Sequence, residues 1–201
     1  MPKSPFAITL LTSSIVLSLG VALSGCSATA EQSSPAPVST SKPMTAPKSE
    51  APAMIMEVYE IHHEGRINLF YDKALYHEFA QLHETPFRLT RIGAGPNGET
   101  VVFGLTDKDK KKPDNVDLVK LFDGKMAAPA DFYGEMRMHG RIYVFDNYED
   151  MKQVRQVGEP SYFYSEIGSG PNGETVKYVL NSSNNKKRPD ALIAKFKAHN
   201  R

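Results

Sequence analysis

From residue 54 onward apolar and polar residues alternate in short runs, and each run stops at a turn signal. Residues 58–63 alternate, meet Glu64-Gly65, and residues 66–71 alternate again, which predicts a β-hairpin. Asp72 follows as a helix N-cap, with Leu75, Phe79 and Leu82 at helical spacing behind it. Residues 87–92 predict a strand, a Gly-Pro-Asn-Gly block turns the chain, and residues 99–105 predict its hairpin partner. Beyond a Lys-rich loop at 108–112, Pro113-Asp114 opens a closing helix in which Val116, Leu118, Val119 and Phe122 can bury one side.

The pattern then returns 75 residues on. Gly65-Arg66-Ile67 recurs as Gly140-Arg141-Ile142, and Ile92-Gly93-x-Gly95-Pro96-Asn97-Gly98-Glu99-Thr100-Val101 recurs as Ile167-Gly168-x-Gly170-Pro171-Asn172-Gly173-Glu174-Thr175-Val176. Of the 41 positions 65–105, 16 are identical to their counterparts without a gap. In the second copy Asn147 is the cap, Met151, Val154 and Val157 the helix face, and Leu192, Ile193 and Phe196 the closing helix. A long period present twice reads as a duplicated domain rather than a solenoid. The expected fold is α+β: a ββαββα unit over residues 54–126 and again over 127–201, with an antiparallel sheet and helices packed on one face. Each copy holds about 70 residues, a marginal core alone, so the two are expected to pack together.

The N-terminus is of another kind. Lys3 precedes an uncharged apolar run, residues 6–23, broken by Thr12, Ser13, Ser14, Ser18 and Gly20, which fits a signal peptide over residues 1–25 better than a spanning helix. The run ends in Leu23-Ser24-Gly25-Cys26, which resembles the lipobox of bacterial lipoproteins. The resemblance implies cleavage before Cys26, a diacylglyceryl group on its sulfur and acylation of the new amino terminus; more than one acyl chain is what stable anchoring needs. Ser27, rather than Asp, implies outer-membrane sorting in a Gram-negative host, facing the periplasm. Residues 27–53 are rich in Ser, Ala, Pro, Thr and Lys and lack aromatics, so they predict a disordered tether of about 30 Å.

Charge and composition narrow the chemistry. With 24 basic and 23 acidic residues the chain offers no overall field for nucleic acid. Its only cysteine is the lipobox one, so neither a disulfide nor a cysteine nucleophile is expected in the mature protein. Gly93-x-Gly95-x-x-Gly98 and its copy match a dinucleotide-binding pattern, but strand residues follow where that motif needs a helix, and Pro96 and Pro171 each remove an amide; a hairpin turn is the reading, and no nucleotide is expected. His62, His63, His77 and His83 are the weak metal candidates, in the first copy only; His62 and His63 point to opposite faces of a strand, and no metal or other cofactor is expected. Arg66 with Glu99 and Arg141 with Glu174 are polar pairs kept in both copies, forming either salt bridges or equivalent binding positions. The basic loops 108–112 and 186–188 read as solvated. No catalytic set stands out, so the expectation is a non-enzymatic, membrane-anchored envelope module that binds a protein or glycan. The alternatives are an inhibitor or immunity-type protein, or a metal- or ligand-carrying protein using the first-copy histidines.

Overall fold

A computed structural model describes residues 55–200; the expected signal peptide, Cys26 and the expected tether lie outside them. Within the described residues eight strands and four helices alternate as a mixed α/β fold. The strands are β1 (Met56–His63), β2 (Arg66–Phe70), β3 (Phe87–Arg91), β4 (Thr100–Leu105), β5 (Phe132–Met138), β6 (Arg141–Phe145), β7 (Tyr162–Glu166) and β8 (Thr175–Leu180). The helices are α1 (Lys73–Leu82), α2 (Asp117–Phe122, after a 3-10 turn at Pro113–Asn115), α3 (Tyr148–Val157) and α4 (Asp190–His199). No helix among the described residues is long and apolar enough to cross a membrane.

Local chemistry accounts for the elements. Glu64-Gly65 and His139-Gly140 both hold positive φ at two successive residues, the primed turn whose twist matches a tight hairpin. Asp72 caps α1 through the Leu75 amide at 3.0 Å, and Asn147 caps α3 through the amides of Glu149 and Asp150. Loss of the second cap, Asn147→Ala, should cost about 1 kcal/mol, read as a lower midpoint in urea. A midpoint unchanged from wild type would mean the amides find water just as readily.

The strands form one sheet in the order β3-β4-β2-β1-β5-β6-β8-β7. The four hairpin pairs are antiparallel, as the alternation predicts. The sheet as a whole is mixed rather than antiparallel, because β2–β4, β6–β8 and the central β1–β5 seam are parallel. The register repeats across the seam: Arg66 lies opposite Thr100, and Arg141 opposite Thr175.

The helices do not share one face. One apolar cluster joins Val58, Ile67, Leu69, Phe103 and Phe145 to α2 and α3; a second joins Tyr59, Ile61, Phe70, Ile142 and Val144 to α1 and α4. Residues adjacent in a strand thus fall into different clusters, so the two clusters lie on opposite faces. Each half already places its two helices on opposite faces, α1 opposite α2 and α3 opposite α4. The parallel seam keeps strand direction but turns the second half over relative to the first, so α1 and α3 also land on opposite sides.

The parallel pairings also gather all four hairpin turns, 64–65, 92–99, 139–140 and 167–174, at one end of the sheet. The chain enters β1 at Met56, the opposite end.

Candidate functional site

The face covered by α1 leaves part of β2, β4 and β3 uncovered. On that face successive rows read His63, Arg66 and Thr100; then Asn68, Val102 and Thr90; then Gly104 and Arg88. The C-terminal end of α1, with Phe79, Leu82 and His83, forms the wall, and a cleft of about 500 Å³ lies between. Gly104 is part of the sheet surface because the Phe70 ring lies where its side chain would be: a Cβ there would stand 2.4 Å from the ring.

The wall carries a stacked pair of imidazoles. The rings of His63 and His83 lie 4.0 Å apart and 9° from parallel, with the Phe79 ring edge-on to both. His83 is the C-cap of α1 at φ 58, a left-handed conformation that costs a non-glycine residue roughly 1 kcal/mol. The corresponding cap of α3 is Gly158, so the first half keeps a histidine where glycine is easier. Arg66 and Arg88 line the cleft, are exposed, and have neither an ion pair nor a side-chain hydrogen bond among the described residues.

The equivalent surface of the second half is filled. Tyr143 stands 75 residues beyond Asn68, Lys177 beyond Val102, Phe163 beyond Arg88 and Glu159 beyond Glu84. Glu159 takes Lys177 at 2.8 Å, the Tyr143 hydroxyl at 3.1 Å and Arg141 at 3.5 Å. The Lys177 ammonium also lies 4.3 Å from the centre of the Phe163 ring. The Lys177 hydrogen bond first, against a smaller opposing effect of burial, holds the Glu159 carboxyl below its ordinary value.

The remaining sequence candidates fall elsewhere. Arg66 does not meet Glu99, nor Arg141 Glu174. Glu99 instead accepts the Asn97 amide at 2.9 Å and its side chain at 3.0 Å, which closes the Gly-Pro-Asn-Gly turn; Glu174 does the same with Asn172 and adds Arg137 at 2.5 Å. A strand, not a helix, follows each glycine block. The histidines do not converge: His62 bonds Glu60 at 2.6 Å on one face, His63 meets His83 on the other, and His77 lies beside Tyr76. Among the described residues no three His, Cys, Asp or Glu side chains are placed to hold a metal. In the basic loops Lys110 pairs with Asp107, and Arg188 with Glu166 and Asp190.

Sequence reasoning missed Asn68, Arg88 and Thr90 as cleft residues. The signal was present as differences between the two halves on one face: asparagine against tyrosine, valine against lysine, arginine against phenylalanine. It could be read only once the rows were aligned across the parallel β2–β4 pairing. It also missed two buried polar groups on the central strands. Glu60 receives Arg155 from α3 at 2.7 and 2.8 Å. Glu135 receives the Tyr133 hydroxyl at 2.6 Å, the Tyr76 hydroxyl at 2.9 Å and the Asn200 amide at 2.8 Å.

Comparison of the chain with protein-family models, with curated proteins and with solved structures found no match.

Proposed function

We propose that this chain is a lipid-anchored binding module of the bacterial cell envelope, built from two copies of a ββαββα unit related by an axis along the strands. One copy is open and the other is closed by its own side chains. The observation that carries the binding role is that contrast. Corresponding rows of the sheet present a cleft with two unpaired arginines in the first half and a packed Lys177–Glu159–Tyr143 group in the second. A surface needed only for stability has no reason to differ in this way. The placement of the hairpin turns fits an anchor on Cys26. The tether would join at the Met56 end, leaving the four turns and the upper rim of the cleft at the far end, turned toward a partner protein or glycan. No catalytic set accompanies the cleft, and the reading is non-enzymatic, with no cofactor.

Two experiments test it. In a bacterial host, an alkyne-tagged palmitate should label the chain and Cys26→Ser should abolish the label; label retained in the variant would remove the anchor. For the cleft, Asn68→Tyr, Val102→Lys and Arg88→Phe together install the second half's side chains at the corresponding positions. A photo-crosslinker replacing Ile92, 89 % exposed at the rim, should capture an envelope component in the native chain and not in the filled one. The same pattern in both would mean that the cleft is not the binding site.

A further inference from the structure

The second half shows what the first half lacks. There the carboxylate of Glu159 sits among Arg141, Lys177 and Tyr143, an internal acid occupying the groove. In the first half Arg66 takes the place of Arg141, but no carboxylate reaches it. Glu84, the counterpart of Glu159, is exposed at the cleft wall and makes no hydrogen bond or ion pair among the described residues. The cleft is therefore the same groove with its acid withdrawn, widened by Asn68 for tyrosine and Val102 for lysine, and provided with a second guanidinium, Arg88, where the other half has a ring.

The geometry points to a carboxylate-bearing ligand in this cleft, its acid group at Arg66 in the position that Glu159 fills in the other half. The inference rests on the binding role proposed above and adds the chemical class. A guanidinium presents paired donors that match a carboxylate's two oxygens, and an arginine without an acid partner is ready to take one. Arg66 and Arg88 lie two strands and four residues apart, about 16 Å between Cα positions at ordinary strand spacing and rise. That distance favours an elongated ligand, with the carboxylate at Arg66 and a second acceptor toward Arg88. The stacked rings of His63 and His83, backed by Phe79, line the cleft and offer the ligand's body a ring-bearing wall. A peptide C-terminus and an acidic sugar both carry such a carboxylate.

The test is a titration of the full chain in detergent micelles, followed by methyl NMR at Ile92, Leu82 and Val102 around the cleft. The probes are N-acetyl-dialanine and N-acetylmuramic acid, each beside its neutral amide. Expected are saturable shifts at these methyls with the acids, at least tenfold weaker binding of the amides, and about tenfold loss with Arg66→Gln or Arg88→Gln. Both arginines are exposed, so neither variant should disturb folding. The stronger of the two acids identifies the source of the carboxylate. Acids and amides binding equally well would overturn the carboxylate assignment while leaving the cleft as a binding site. No shift with either acid, in the native chain or in a Glu84→Gln chain, would overturn the assignment outright. In that case the Ile92 crosslinking decides separately whether the cleft binds anything.

Discussion

Replacing Arg155 with methionine should destabilise the fold by about 3–5 kcal/mol, because it strands the Glu60 carboxylate without its cation. Glu60 is wholly buried on β1, and Arg155 reaches it from α3 with two hydrogen bonds, so the pair ties the first half's central strand to the second half's helix. Burial works to raise the Glu60 pKa, but the Arg155 charge and the hydrogen bonds from His62 and Arg155 outweigh it, and the carboxyl titrates below its ordinary 4.5. A depressed carboxylate contributes stability that is present above the unfolded-state pKa and lost as pH falls through the folded one. Wild-type stability should therefore fall on acidification below about pH 4.5, whereas Arg155→Met, in which burial of Glu60 is no longer offset by the Arg155 charge, should gain from protonation of that carboxyl, so the gap narrows as pH falls. Adding Glu60→Gln to Arg155→Met removes the stranded charge and should recover much of the loss. Urea unfolding of wild type, Glu60→Gln, Arg155→Met and the double variant at pH 7 and pH 3 measures the cycle; a double variant no better than Arg155→Met would show that the charge itself is not the cause.

Glu135→Leu should cost roughly 3 kcal/mol, for a different reason: it orphans two buried tyrosine hydroxyls, at about 1–3 kcal/mol each, and takes one acceptor from the half-buried Asn200 amide. Glu135 has no cation in direct contact among the described residues; its partners are Tyr133, Tyr76 and Asn200, and Arg137 is one step removed, bonding the Tyr76 oxygen at 2.7 Å. Burial first, then the Glu135 charge, pushes both tyrosine hydroxyls far above the usual phenol range, so they stay protonated and donate. Glu135→Gln retains an acceptor and should cost less than half as much in the same unfolding experiment. If leucine and glutamine proved equally tolerated, the hydroxyls would have to be satisfied by water. Glu60 and Glu135 occupy positions 75 residues apart on the two seam strands, yet one is matched by a charge and the other by hydroxyls. Position 155 is an arginine and its counterpart, 80, an alanine, so the first half's helix could not supply the same partner.

Much of this architecture was legible in the chain. The Asp72 and Asn147 caps, the turns at Glu64-Gly65 and His139-Gly140, and all eight strands follow from signals within a few residues of each element, and local signals survive any tertiary arrangement. The placement of His62 and His63 on opposite faces followed from strand geometry alone. The Arg66–Glu99 and Arg141–Glu174 pairs did not form. A carboxylate two residues beyond an asparagine reaches that residue's own amide and side chain more readily than an arginine on the neighbouring strand.

By itself, then, the sequence determined the elements, their order, the 75-residue correspondence and the residue types available at each row of the sheet. Only the tertiary structure decided that β1 and β5 pair in parallel, because nothing in an alternating strand states which partner it takes or in which direction. That one pairing turned the second half over, set α1 and α3 on opposite faces and brought Arg155 to Glu60. Within the first half, the equally nonlocal β2–β4 pairing set Arg66, Asn68 and Arg88 around one cleft. The same rows in the second half closed on Glu159, because a few side chains there were large and charged enough to fill the space.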